Sequence, residues 1–65
     1  MTPQLHEFWL ECRNLAARLP PEYHSAIRDT WELCVAEIED GESETNEIEL
    51  ARQALQELRE KYDNN

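Results

Sequence analysis

The chain has 65 residues, of which 15 are Asp or Glu and 6 are Lys or Arg, so the formal net charge is −9 with both histidines neutral. This length holds one domain at most and leaves no room for a large enzyme cleft. The acidic balance argues against direct binding to DNA, RNA or anionic membrane, because affinity for those polyanions comes from Lys and Arg.

Hydrophobic residues make up 40% of the chain, and two Trp, two Tyr and one Phe join the leucines and isoleucines as core material. That is enough to fold, although below about 70–80 residues one core rarely supplies more than ~3–5 kcal/mol. Apolar runs are short, such as Phe8-Trp9-Leu10, so neither a signal-peptide core nor a membrane span is expected. The chain reads as cytoplasmic, and Cys12 and Cys34 as reduced thiols.

The first helix is expected over residues 3–19. Thr2 offers a hydroxyl cap and Pro3 sits at the first helical position, where a missing N–H costs nothing. Leu5, Phe8, Cys12, Leu15 and Leu19 recur at 3-4-3-4 spacing, which gathers them on one helical face. Pro20-Pro21 ends the helix, and Pro21 can open the next, expected over 21–40. The second stripe is Tyr23, Ile27, Trp31, Cys34 and Ile38, and Gly41 suits a left-handed cap after it. A third helix is expected over 45–62. Its start lies within Ser43-Glu44-Thr45-Asn46, where Asn46 and Glu49 resemble a capping box, and its stripe is Ile48, Ala51, Leu55, Leu58 and Tyr62.

These elements define an all-α fold, a small antiparallel three-helix bundle running up-down-up through residues 1–65 as one domain. A helical hairpin that oligomerises through its third helix is the competing architecture.

Charge is distributed unevenly. Residues 1–35 carry a net −2, residues 50–65 are neutral, and residues 36–49 carry seven acids and no base. Glu42, Glu44, Glu47 and Glu49 surround the start of the third helix, where the macrodipole favours acids by ~0.3–1 kcal/mol each. Glu37, Glu39 and Asp40 fall in the last turn of the second helix, where the dipole disfavours them. A cluster placed against local preference suggests a use, and the use expected here is a basic protein surface. Solvation of one pole is the plainer alternative. Calcium does not fit, because placing Gly41 sixth in an EF-hand loop puts Ala36 first, where Asp is required.

Catalytic constellations are not evident. One glycine cannot build a phosphate-cradling loop, and Ser25 and Ser43 have no base arranged around them. Carboxylate pairs such as Glu7 with Glu11 are explained by solvation. Hairpin geometry sets His6 near Cys34, but further ligands at metal spacing are lacking, and folding at Pro20-Pro21 offsets Cys12 and Cys34 by ~9 Å along the helix axis, beyond disulfide reach. No enzyme activity, cofactor or metal is expected. His24 reads as a surface or boundary residue.

Leu10, Leu33 and Leu50 lie off the stripes, and they either widen the buried faces of the bundle beyond a coiled-coil seam or form a second surface for a partner or for self-association. The function expected is therefore a non-enzymatic acidic interaction protein, a regulator or inhibitor that binds a basic protein, with imitation of nucleic-acid phosphates as its sharper form. The alternative is a structural or assembly subunit, or an obligate homodimer, packing through exposed Leu and Trp residues.

Overall fold

The structure, a computed structural model, describes residues 1–64. Three helices follow one another: α1 (Pro3–Arg18), α2 (His24–Glu39) and α3 (Glu44–Asp63), with a single 3₁₀ turn (Pro21–Tyr23) ahead of α2. No strand occurs among the described residues.

Each boundary has a local cause. The Thr2 hydroxyl accepts from the Leu5 amide at 3.2 Å, and Pro3 occupies the first helical position. At the other end of α1, Leu19 is extended (φ −99°, ψ 153°), the conformation that a following proline imposes. The helix expected from Pro21 opens instead as a 3₁₀ turn, and α2 proper begins at His24. The Tyr23 amide donates to Pro20 at 3.0 Å, so the chain turns through the tighter spacing common at helix starts.

α2 closes in a complete Schellman motif. Gly41 has φ +102°, its amide donates to the Ile38 carbonyl, and the Glu42 amide donates to the Glu37 carbonyl, both at 3.1 Å. The cap of α3 is Ser43, whose hydroxyl accepts from the Asn46 amide at 3.4 Å. Asn46 is thus already inside the helix, which corrects the capping box expected at Asn46 and Glu49. Ser43 precedes the first helical residue and can keep an extended backbone, which a cap needs.

Contacts fix the helix directions. Gln4 meets Thr45 and Glu11 meets Arg52, a constant offset of 41 residues, so α1 and α3 run parallel and in register. Phe8 packs on Trp31 while His24 reaches back to Ala16, so α2 runs antiparallel to α1. Tyr23 meets Tyr62 edge to face at 5.5 Å, at the end of the α2/α3 pair remote from the Gly41 turn. The bundle is therefore up-down-up, and α3 packs inside the same chain rather than projecting from a hairpin.

The core is Phe8, Cys12, Leu19, Ile27, Cys34, Ile48, Ala51 and Leu55, with Leu5, Leu15, Ala16, Tyr23, Trp31, Ile38 and Leu58 packed around it. All three apolar stripes converge there, with Tyr62 left 38% exposed in the last turn of α3. Arg52 ties the upper part of α3 to α1. Its guanidinium forms a two-pronged contact with Glu11 and lies 5.9 Å from the centre of the buried Phe8 ring. The molecule measures 37 × 16 × 15 Å.

Candidate functional site

The up-down-up topology brings three chain segments to one end: the start of α1, the Gly41 turn and the start of α3. The Thr2 hydroxyl donates to the Glu44 carboxylate, and the Gln4 side chain donates to the Thr45 hydroxyl at 3.3 Å. The acids at this pole are Glu37, Glu39, Asp40, Glu42, Glu44, Glu47 and Glu49. Glu37, Glu44 and Glu47 are half-buried, and the other four are exposed.

The electrostatics separate these acids into two groups. Glu44 and Glu47 occupy the first turn of α3, where free amides and the dipole favour negative charge. Glu37 and Glu39 fall in the last turn of α2 and Asp40 is its C-cap, with no basic residue in that turn. Among the described residues the ion pairs are Arg52 with Glu11 and Arg59 with Asp63, so no cation pairs with any acid of the pole. Cys34 lies beneath it, 3% exposed. Burial pushes its thiol upward, and Glu47 and Glu44 push in the same direction.

Of the three leucines that lie off the stripes, the structure brings two together. Leu33 (63% exposed) and Leu50 (58%) flank a groove of about 280 Å³ between α2 and α3, with Cys34, Ala51 and Ala54 in it and Glu37 and Glu47 at its polar end. Leu10 (40% exposed) stands apart on α1. The groove forms because α3 presents Ala51 and Ala54 where larger residues would fill the space.

Two features escaped the sequence. The His24 Nε2–H donates to the Ala16 carbonyl at 2.6 Å and to the Leu19 carbonyl at 3.2 Å. Both partners are carbonyl oxygens, so Nε2 acts as the donor. His24 therefore caps the end of α1, which has no glycine to do so. The second is an aromatic and basic groove between α1 and α2 holding Trp9, Arg13, His24, Arg28 and Trp31. Arg13 lies 5.4 Å from the Trp9 ring centre, and His6, one helical turn earlier, stacks on the same ring with ring centres 6.0 Å apart. Trp9 and Arg13 at i, i+4 carry the signal that would have found it.

Nothing among the described residues gathers three His, Cys, Asp or Glu side chains in a metal-binding arrangement. Cys12 and Cys34 are both buried and free. Among the described residues no helix is long and apolar enough to cross a membrane. Comparison with protein-family models, curated proteins and solved structures found no match to this chain.

Proposed function

We propose that this protein is a non-enzymatic regulator or inhibitor that acts in the cytoplasm by presenting its acidic pole to a basic protein surface. The observation that carries this reading is the placement of Glu37, Glu39 and Asp40. They crowd a helix end that disfavours them and have no cation among the described residues to offset the cost. A pole of this kind steers a basic partner and raises its on-rate. It suits a groove that otherwise holds phosphates, so competition with nucleic acid for such a partner is the sharper form of the reading.

The test is capture of a partner from the source cells by the wild type and by a Glu37→Gln, Glu39→Gln, Asp40→Asn variant, followed by affinity measurements at two salt concentrations. The reading requires weaker binding by the variant and a shallower salt dependence. Equal affinity and equal salt slope would reduce the pole to a solvated face.

A second reading, a structural or assembly subunit that includes the obligate homodimer, draws on the exposure of Leu10, Leu33 and Leu50. It calls for association that survives high salt.

A further inference from the structure

The α2/α3 groove has an apolar middle and acidic limits. Its lining residues come from α2 and α3 alone, so it opens on a side of that helix pair that α1 does not cover. Leu33 and Leu50 stand on either side, Ala51 and Ala54 leave space between them, and Glu37 and Glu47 close one end. Helical spacing places Asp29 one turn before Leu33 and Glu57 two turns after Leu50, both exposed, toward the other end. No Lys or Arg lines the groove.

We propose that this groove docks a basic amphipathic helix of a partner protein. The helix sets its apolar residues between Leu33 and Leu50 and its Lys or Arg side chains on Glu37 and Glu47. The proposal rests on the reading of the pole as a surface for a basic protein and gives that partner a shape. From Thr30 to Glu37 the groove spans two helical turns, about 10 Å at 1.5 Å per residue, which matches anchors at i, i+4 and i+7. A helix laid there completes a four-helix arrangement around α2 and α3.

Charge decides between occupants. A second copy seated groove to groove would present the same leucines among the same carboxylates, bringing like charges together from two molecules of net charge −9. A helix with basic flanks meets the leucines and the acids with one surface.

The test uses the full chain, isotope-labelled for amide NMR, and a synthetic helix of about 15 residues with Leu at i, i+4 and i+7 and Lys around them. A scrambled peptide of the same composition and an oligolysine are the comparison probes. Amide shifts should concentrate on Thr30, Leu33, Cys34, Leu50, Ala51 and Ala54. Leu33→Ser with Leu50→Ser should weaken binding about tenfold or more without lowering the melting temperature, since both side chains are exposed. Glu37→Gln with Glu47→Gln should weaken it and flatten its salt dependence.

Unchanged affinity in the leucine variant, or equal binding of the scrambled peptide at the same amides, would overturn the proposal. So would a dimer by sedimentation that the leucine variant abolishes. Oligolysine reads the pole alone. If its binding falls in the Glu37→Gln, Glu39→Gln, Asp40→Asn variant while the leucine variant binds the helix normally, the groove fails and the pole reading stands. If the helix binds through the leucines but oligolysine ignores the triple variant, the pole reading is the one that fails.

Discussion

Phe8 and Ile48 have no solvent exposure, and Phe8 meets Trp31 of α2 and Arg52 of α3. Truncating Phe8 to Ala should cost ~3–5 kcal/mol and Ile48 to Ala ~2–5 kcal/mol. A domain of this size has little more than that, so denaturant unfolding followed by circular dichroism should find Phe8→Ala largely unfolded at room temperature. Leu55 is buried but Leu15 only half so, and Leu15→Ala should be the milder of those two changes although both occupy the middle of a stripe. The thiols give a pH signature. Burial, helped by Glu11, pushes Cys12 from its ordinary 9.0 up to about 11, and Cys34 moves the same way. The unfolded thiol then loses its proton first as pH rises. Stability is intact below pH 9 and falls progressively from there toward pH 11. An alkaline titration of the melting temperature should follow that course, and a Cys12→Ala, Cys34→Ala variant should follow a flatter one. Ellman-type reagents should modify the wild type only as fast as it opens.

At the scale of elements, the turn between α2 and α3 depends on one backbone conformation. A Cβ on Gly41 would meet nothing within 4 Å, so Gly41→Ala tests conformation without steric clash and should cost about 1 kcal/mol, read from the melting temperature. His24→Ala removes the donor shared by the Ala16 and Leu19 carbonyls and should cost about 0.5–1.5 kcal/mol. These two caps differ in how readable they are. Gly41 announces a left-handed residue by its identity, and the stripes announce their faces by spacing, which is why element number, order and core residues were legible. His24 caps a helix that ended several residues earlier, a contact made only after Pro20-Pro21 folds the chain back. Asn46 and Ser43 both carry good capping side chains, and the register of the Schellman turn, not residue type, selects Ser43. The off-stripe leucines were legible one at a time. That Leu33 and Leu50 share a groove while Leu10 does not depends on how α2 rotates against α3, and neither helix carries that information alone.

For the whole molecule, the cost of setting Glu37, Glu39 and Asp40 against the α2 dipole can be measured without a partner. Replacing Glu37, Glu39 and Asp40 by Gln, Gln and Asn removes charges that oppose the α2 dipole and repel their neighbours. The isolated protein should therefore melt no lower than the wild type, and by the dipole contribution about 1 kcal/mol more stably. Added salt should act on the wild type in the same direction, raising its melting temperature as screening shortens the Debye length to about 3 Å near 1 M. The triple variant should respond less to salt. Loss of stability in the variant would mean that these acids take part in structural contacts and are not held against preference.

An odd number of antiparallel helices sends the start of α1 and the last turn of α3 to opposite extremes of a 37 Å rod. Thr2 touches Glu44 at the acidic end, whereas α3 runs out beyond Tyr62 at the far end, beside Tyr23. Anchoring geometry follows from this. A carrier or surface joined ahead of Met1 stands over the carboxylates and shields them from a bulky visitor, while one joined after the last turn of α3 holds the molecule upright with that end outward. The two orientations should differ in association rate for the same soluble partner, faster when the chain is tethered through its C-terminal side.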